Sequence, residues 1–242
     1  MIPRFHCSFP LAPGAVVELP AEAAHHAVKV LRLAEGDRVI LFDGRGGNWQ
    51  ARLAPAGKSV RALLEAFDGT EREPPLSITL AQALPAADKM DWIVQKGVEL
   101  GVAAVRPVAA KRSVVRLSGE RMERRVAHWR GVAVAACEQS GRNRVPVVAP
   151  LVDLPQFLAA AGEDNGMLLL LSPHAELGLR QLPPPAGPVT LLVGPEGGFE
   201  ESELAGVAAA GFRQVSLGPR LLRTETAGMA AIAAMMALWG DF

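Results

Sequence analysis

The 242-residue sequence is short of several features that would mark whole classes of protein. Its only cysteines, Cys7 and Cys137, lie too far apart to form a metal-ligand spacing, so we interpret both as reduced thiols. The five histidines form no metal-ligand pattern either. Half of the residues are hydrophobic, yet no charge-free run reaches the ~20 residues that a membrane-spanning helix needs. The composition therefore predicts a globular protein without a metal centre or a membrane span.

The amino terminus shows no signal-peptide pattern, so the cytoplasm is the expected compartment. Net charge is also lacking, but this balance conceals two blocks of opposite sign. Residues 106–144 carry ten basic side chains against three acidic ones, whereas residues 145–204 carry eight acids against a single arginine. The basic block is either an electrostatic footprint for nucleic acid or a solvated helix face whose charges meet the acidic block. The sequence leaves both interpretations open.

A glycine-rich loop is present, but it lacks the dinucleotide-binding fingerprint and the Lys and Ser/Thr of a phosphate-cradling loop. It reads GPEGGF at residues 194–199 and follows the apolar run Val189–Val193. Glu196 and the three acids at positions 200, 201 and 203 would repel a polyphosphate and tolerate a cation. A ligand with an adenine-like ring and a positive charge suits this loop better than a nucleoside triphosphate. Taken alone, the loop is better interpreted as a tight turn that serves packing.

A second loop occupies a similar position further along the chain. Residues 212–217 form another short apolar run, and the Arg- and Thr-rich stretch 218–226 follows it. Short apolar runs bounded by Gly and Pro are typical of buried parallel strands in an α/β domain. Both loops, and a third that leaves Met167–Leu171 through Ser172 and His174, should therefore lie at carboxyl strand ends, where open α/β sheets bind ligands. A lone loop histidine is more often exposed than catalytic, so His174 receives no catalytic role.

The first part of the chain has the pattern of a small β-rich unit. Val39–Phe42 and Trp49–Leu53 flank a glycine-rich turn and predict a hairpin, and Val60–Phe67 predicts a further strand. Ala21–Leu33 carries apolar residues at helical spacing.

The stretch 68–75 is polar and charged and ends in two prolines, which indicates a linker between domains. A helix over residues 88–100 and a strand over residues 102–108 follow it, as in a unit of parallel sheet. We therefore predict a first domain at residues 1–70 and a second at residues 74–242.

Two further helices are predicted in the second domain. The first spans Glu120–Gln139 and ends near Gly141, where Arg142 is either an exposed arginine after a helix C-cap or part of an RNA-binding face. The second, Thr226–Leu238, is apolar on every side and should be buried all round, either as a central core helix or in a subunit interface.

The sequences LVGPEGGF at residues 192–199 and LGPRLLRTETA at residues 217–227 resemble the ribosomal RNA small-subunit methyltransferase E family of the SPOUT class. Asp91-Trp92, Lys96 and Glu99-Leu100-Gly101 extend the resemblance. It implies an α/β protein: a trefoil-knotted methyltransferase domain with a parallel sheet, preceded by a PUA-like RNA-binding β-barrel. It also implies a homodimer that uses S-adenosylmethionine, without a metal, to methylate N3 of a uridine in 16S ribosomal RNA of the small ribosomal subunit.

The resemblance further implies a set of site residues, with Gly197 placed where the backbone meets the cofactor. The expected cofactor-binding residues are Leu171, Gly194, Pro195, Glu196, Gly197, Leu217, Gly218, Leu222, Arg223, Thr224 and Thr226. The expected RNA-binding residues are Arg4, His26, Arg32, Arg112 and Arg142.

Arg223 is the one catalytic candidate, because its guanidinium could stabilise negative charge on the uracil oxygens. It could equally brace the loops by pairing with Glu196 or Glu225. His26 is either an RNA contact or simply the exposed member of the pair His25–His26. The rival functions are a non-catalytic RNA-binding or assembly module with the same fold, a ribose 2′-oxygen methyltransferase, and a nucleotide-dependent oxidoreductase. The last of these lacks its fingerprint.

Overall fold

A computed structural model describes residues 2–56, 59–115, 117–161 and 166–242, and these residues form two compact units. Unit 1 comprises the chain up to Glu73 together with Val134–Val145. Unit 2 comprises Pro74–Ala133 and Pro146–Phe242. The segment Val134–Val145, which lies in the second domain by sequence order, thus makes its contacts in unit 1.

Unit 1 is built on a five-stranded sheet with the strand order β1-β3-β4-β5-β2. Its strands are β1 (Arg4–His6), β2 (Val16–Glu18), β3 (Arg38–Phe42), β4 (Asn48–Ala56) and β5 (Ser59–Asp68). Strand β1 pairs parallel with β3, and the other pairs are antiparallel. In β5 the buried Ala62 and Leu64 alternate with the exposed Leu63 and Glu65, as expected where one face of a strand covers a core.

The helix predicted over Ala21–Leu33 has two parts. Helix α1 (Ala21–His25) continues into a single π-helical segment, His26–Val30. Arg32 follows with φ of 55°, a left-handed conformation that ends the helix and is uncommon for a residue with a side chain. The hairpin of β3 and β4 forms as predicted.

Unit 2 contains a seven-stranded sheet in which every pair is parallel. Its strands are β6 (Ile78–Ala83), β7 (Ala104–Ala109), β8 (Val147–Val148), β9 (Val152–Asp153), β10 (Met167–Leu171), β11 (Val189–Val193) and β12 (Arg213–Val215). The order is β12-β10-β11-β6-β7-β8, and β9 also pairs with β7. The two strands before the His174 and glycine loops, β10 and β11, have the bounds that the sequence predicts.

The described residues also form the α-helices α2 (Lys89–Glu99), α3 (Gly119–Ser140), α4 (Leu154–Ala161), α5 (Glu201–Ala209) and α6 (Thr224–Trp239), and Leu179–Gln181 forms a 3-10 turn. Successive residues of a strand point to opposite faces of its sheet. Leu80 in β6 accordingly lies next to Gly228 of α6, whereas Ala81 belongs to a buried cluster with Phe157 of α4 and Val207 of α5. Helices therefore cover both faces, as a buried parallel sheet requires.

Helix α6 is not buried all round within a single copy of the chain, so it is not a central core helix, and its burial in a subunit interface stays a prediction. Met229, Ile232 and Met235 are buried against α2 and the sheet, but Leu238 is 46% exposed and Ala237 is exposed as well. The small side chains of its outer face reach the surface because the sheet covers only one side of the helix.

No helix in the described part of the chain has the length and hydropathy needed to cross a bilayer. Among the same residues, no three His, Cys, Asp or Glu side chains are grouped so that they could hold a metal ion. The cysteines are buried free thiols in unit 1, and burial raises the pKa of each to about 12, so neither is a reactive thiolate at neutral pH.

Candidate functional site

Three loops meet at the carboxyl edge of the unit 2 sheet. Strands β12, β10 and β11 are neighbours and run parallel, so their carboxyl ends lie side by side. The loops that leave these ends begin at Ser216, Ser172 and Gly194. The sequence prediction that these loops come together is confirmed.

The three loops and the first turns of α2, α5 and α6 line an open cavity of about 640 Å³. Such a volume falls within the ~300–1,000 Å³ of sites for small molecules and cofactors. The cavity is lined by Lys89, Leu170, Leu171, Ser172, Pro173, His174, Val193, Gly194, Pro195, Glu196, Gly198, Phe199, Leu204, Val215, Leu217, Gly218, Arg220, Leu221, Leu222, Arg223, Thr224 and Ala227. Apart from Thr224, its buried walls are aliphatic, whereas the charged side chains belong to exposed or part-exposed residues.

Most of the residues predicted to bind a cofactor line this cavity. They are Leu171, Gly194, Pro195, Glu196, Leu217, Gly218, Leu222, Arg223 and Thr224. Gly197 and Thr226 are not among the lining residues. Thr226 lies in the first turn of α6, where its backbone N–H donates to the carbonyl oxygen of Arg223.

Gly197 is in contact with Arg112. The Nη1 atom of Arg112 donates to the carbonyl oxygen of Gly197 at 3.0 Å, and a Cβ on Gly197 would lie 3.2 Å from the Cβ of Arg112. That the backbone of Gly197 also meets the ligand stays a prediction. Its lack of a side chain permits close approach of Arg112, a residue 85 positions earlier in the chain.

Lys89 is a cavity residue that the sequence does not single out. Its Nζ atom lies 2.9 Å from a carboxylate oxygen of Glu196 in the glycine loop and 3.1 Å from one of Glu225 in α6. Hydrogen bonds to Glu196 and Glu225 raise the pKa of Lys89 above its ordinary value. Because these partners are more than 100 positions away, no local pattern could have revealed the contact.

The Glu196 carboxylate stays charged in this setting. Burial alone would raise its pKa, but the hydrogen bond from Lys89 and backbone N–H donors, including that of Ala86, outweigh burial, and the pKa lies below the ordinary value. In the part of the chain that the structure describes, Lys89 is the ion-pair partner of both Glu196 and Glu225. Arg223 is thus not the residue that braces these carboxylates, and it lines the cavity from the N-cap of α6.

A series of buried hydrogen bonds connects strand β6 to two of the loops. Gln82 in β6 is fully buried, and its Nε2 atom lies 3.0 Å from Oγ1 of Thr224. The same hydroxyl lies 2.5 Å from the carbonyl oxygen of Gly194. Thr224 and Gly194 line the cavity, whereas Gln82 lies behind them.

Arg4 and Arg142, two of the residues predicted to bind RNA, are held inside unit 1. The side chain of Arg142 is only 5% exposed and pairs with Glu73. Arg4 is half-buried, donates to Oδ1 of Asn143 at 2.7 Å, and lies over the ring of Phe42. Burial lowers the pKa of Arg4. These contacts give both arginines partners within unit 1, and their assignment to RNA stays a prediction.

The other predicted RNA-binding residues have exposed positions. His26 and Arg32 are exposed in the segment of unit 1 that follows α1, together with Lys29 between them. Arg112 is exposed in unit 2 beside the glycine loop, next to the exposed Lys111. These side chains have the accessibility that phosphate contacts require.

Comparisons with known proteins extend over nearly the whole chain. A family described as the RNA methyltransferase domain matches residues 72–236, and the RNA methyltransferase PUA domain matches residues 19–63. The chain is 37% identical to the ribosomal RNA small subunit methyltransferase E of Synechocystis, over 93% of this chain and 74% of that protein. It is 32% identical to the protein of the same name from Bacillus subtilis, over 90% and 88% of the two chains.

Solved structures give the same picture. The ribosomal RNA small subunit methyltransferase E of Neisseria gonorrhoeae, bound to S-adenosylmethionine, has a TM-score of 0.93 and 41% identity, with both chains fully covered. A methyltransferase of Legionella pneumophila in complex with the same cofactor has a TM-score of 0.95 and 35% identity, again over the full length of both chains.

Proposed function

The chain belongs to the ribosomal RNA small subunit methyltransferase E family, and from this premise we propose that it methylates N3 of a uridine in 16S ribosomal RNA. It is an S-adenosylmethionine-dependent ribosomal RNA methyltransferase, with a parallel-sheet α/β domain of the SPOUT class preceded by a PUA domain. The modified atom, the site residues and the trefoil path of the chain are parts of the proposal.

The cavity at the carboxyl edge of the unit 2 sheet carries this proposal. S-adenosylmethionine has a flat adenine ring and a positively charged sulfonium. Buried aliphatic residues such as Val193 and Val215 suit the ring, and the charged carboxylate of Glu196 suits the cation. Backbone groups of Gly194 and Gly218 border the same space, where no side chain of their own restricts access. The residues present therefore fit the cofactor.

When bound, the cofactor supplies a methyl group that is already activated on sulfur. The protein must then orient the acceptor, and alignment of two reacting groups can account for a large share of a rate enhancement. We assign Arg223 the role of orienting the acceptor uridine. It lines the cavity, and the nearby carboxylates of Glu196 and Glu225 form their ion pairs with Lys89. Its guanidinium would stabilise negative charge on the uracil carbonyl oxygens as N3 loses its proton.

Assembly and RNA capture complete the proposal. The exposed face of α6, which includes Ala237 and Leu238, is an apolar surface that a second copy of the chain would cover in a homodimer. Exposed cations in both units, such as Arg32 and Arg112, would hold the small-subunit RNA. We also propose that the first domain, at residues 1–70, binds RNA, that the domain at residues 74–242 performs methyl transfer, and that the enzyme works in the cytoplasm.

The test is modification mapping of 16S ribosomal RNA from a strain that lacks the gene, followed by mass spectrometry of the nucleoside formed by purified protein. We expect loss of one N3-methyluridine in the strain and its return in vitro. The rate should rise with pH until the proton acceptor or the imide itself has titrated. A methyl group on a ribose 2′-oxygen would overturn the choice of atom. RNA binding without any methyl transfer would instead support the non-catalytic module.

A further inference from the structure

One buried hydroxyl connects three separate segments of unit 2. Thr224 is the first residue of α6, Gly194 opens the glycine loop, and Gln82 lies near the carboxyl end of β6. Thr224 and Gln82 are 142 positions apart, and Thr224 and Gly194 are 30 apart. The side chains of Gln82 and Thr224 are both buried, so water does not compete strongly for these hydrogen bonds.

The chemistry of the partners fixes the direction of the chain of hydrogen bonds. The carbonyl oxygen of Gly194 can only accept, so the single hydroxyl hydrogen of Thr224 must point to it. The Gln82 atom that faces Thr224 must then be a donor, and it also lies 2.9 Å from the carbonyl oxygen of Ala83, a second group that only accepts. The amide nitrogen of Gln82 therefore occupies this position, and the chain runs from Gln82 through Thr224 to Gly194.

The side-chain oxygen of Gln82 does not explain why a glutamine occupies this position. Its Oε1 is buried and has no hydrogen-bond partner among the described residues, an arrangement that costs stability. An apolar residue of similar shape would avoid that cost if position 82 served packing alone. The benefit of glutamine here must come from its amide donors, which reach Thr224 and the end of its own strand.

We propose that Gln82 is a positioning residue of this methyltransferase. It sets the distance between the glycine loop and the loop that leads into α6, both of which line the cofactor cavity. The donor of Gln82 orients the Thr224 hydroxyl, and that hydroxyl holds Gly194 against the start of α6. Both of these partners line the cavity, so a change at Gln82 reaches the cofactor without any contact with it. The inference rests on the proposed assignment of S-adenosylmethionine to this cavity.

Two substitutions break this chain of hydrogen bonds at different points. Gln82→Met keeps a long unbranched side chain and removes the donors, whereas Thr224→Val keeps the branched shape and removes the hydroxyl. Calorimetry should show each variant binding S-adenosylmethionine about tenfold more weakly, the size expected for loss of a buried hydrogen bond. The double variant should be no weaker than Thr224→Val alone, because both changes break one chain. Thr224→Ser, which keeps the hydroxyl, should bind S-adenosylmethionine with nearly the wild-type affinity.

Thr79→Val is the matched control, since Thr79 lies at the other end of the same strand β6 and is not a cavity residue. A reversal of polarity gives a second readout. Glu at position 82, once ionised, can only accept, so the Thr224 hydroxyl would turn towards it and release Gly194. The affinity of Gln82→Glu for S-adenosylmethionine should therefore fall as pH rises, while that of Gln82→Met should follow the wild type. Amide hydrogen exchange of residues 194–199 in the cofactor-free protein should be faster in Gln82→Met than in Thr79→Val.

The outcomes separate this inference from the function on which it rests. If the wild-type protein bound no S-adenosylmethionine, the proposed function would fail first. If the wild type bound it, and folded Gln82→Met bound equally well with unchanged exchange in the glycine loop, Gln82 would be a packing residue and the inference would be overturned. Independent, additive losses in Gln82→Met and Thr224→Val would overturn it as well.

Discussion

Arg112 and Gly197 are joined by a hydrogen bond from the guanidinium to the carbonyl oxygen, with 3.0 Å between Nη1 and O. A Cβ on Gly197 would also lie only 3.2 Å from the Cβ and 3.5 Å from the Cδ of Arg112. Arg112, which the sequence analysis predicts to bind RNA, thus also contacts the glycine loop. Substitutions at either residue should affect cofactor binding through this shared contact.

We therefore expect Gly197→Ala to weaken cofactor binding by a few-fold, because Arg112 must shift and its hydrogen bond lengthens. In an Arg112→Ala background, the part of that effect that depends on the hydrogen bond and the Cδ contact should disappear, whereas the 3.2 Å contact with the Cβ at position 112 remains. Titration calorimetry of the four proteins in this cycle measures the coupling.

Gly198 is the control for this cycle. It has a φ of 67° and nothing within 4 Å of a built Cβ, so Gly198→Ala should cost roughly 1 kcal/mol of conformational strain, whatever residue stands at position 112. Full additivity of the substitutions at positions 112 and 197 would show that the contact does not control the loop.

A second prediction concerns the stability of unit 1. Arg142→Ala would leave the carboxylate of Glu73, which is only 19% exposed, without its ion-pair partner, and such a loss typically costs about 3–5 kcal/mol. Arg144→Ala is the matched control. Its ion pair with Glu71 spans 3.8 Å and its side chain is 58% exposed, so we expect a loss below about 1 kcal/mol. Urea denaturation compares the two, and equal losses would contradict the assigned burial.

RNA affinity should depend on the exposed cations. With about four phosphates contacted on single-stranded RNA, the logarithm of affinity should fall with the logarithm of salt concentration with a slope near −3. Arg32→Asn and Arg112→Gln should each flatten the slope by about 0.7 if each contacts one phosphate. Asparagine suits position 32 because it tolerates the positive φ there. Anisotropy of a labelled 16S fragment over a salt series is the measurement, and an unchanged slope would mean that these arginines belong to a solvated face.

The pH dependence of stability should reflect Glu138. Burial raises its pKa above the ordinary 4.5, although the backbone N–H of His6 donates to the carboxylate at 2.9 Å and opposes this. The folded state therefore binds the proton more tightly than the unfolded state. The resulting stability is fully present below pH 4.5 and is lost as pH rises through the folded-state pKa.

Glu138→Gln stays neutral and can still accept from His6. Its free energy of unfolding should therefore gain on that of the wild type as pH rises from 4 to 8. Glu123→Gln, on the exposed surface of the same helix, is the control and should show no such gain. Parallel pH profiles for Glu138→Gln and the wild type would contradict the raised pKa.

Local patterns were sufficient for the strands and loops that build the site. Met167–Leu171 and Val189–Val193 are apolar runs bounded by glycine, proline or polar residues, so both the strands and the loops that follow them could be predicted from sequence. The parallel sheet then determined that the loops meet at one edge. Nine of the cofactor residues expected from the family resemblance line the resulting cavity.

The remaining features depend on contacts between residues far apart in sequence. Nothing near Lys89 indicates that it pairs with Glu196, and nothing near Arg142 indicates that Glu73 draws it into unit 1. The contact between Gly197 and Arg112 also becomes visible only in the tertiary structure. Composition likewise could not show which face of α6 the sheet leaves exposed, because small apolar residues lie on both faces.

The final prediction addresses Arg223, which lines the cavity at the N-cap of α6. If its guanidinium stabilises charge on the uracil oxygens, Arg223→Lys should keep the charge but lose the planar pair of donors. We expect the methyl-transfer rate at saturating substrates to fall about 10²–10³-fold, the range for loss of one donor to a developing oxyanion. Affinity for S-adenosylmethionine should change little, because the paired carboxylates that brace the loops depend on Lys89. Lys89→Met should show the opposite pattern, with weaker cofactor binding as its main defect. Single-turnover kinetics and calorimetry on both variants separate the two effects. A Lys variant at position 223 that lost cofactor affinity but kept its single-turnover rate would make Arg223 a cofactor-binding residue without a catalytic role.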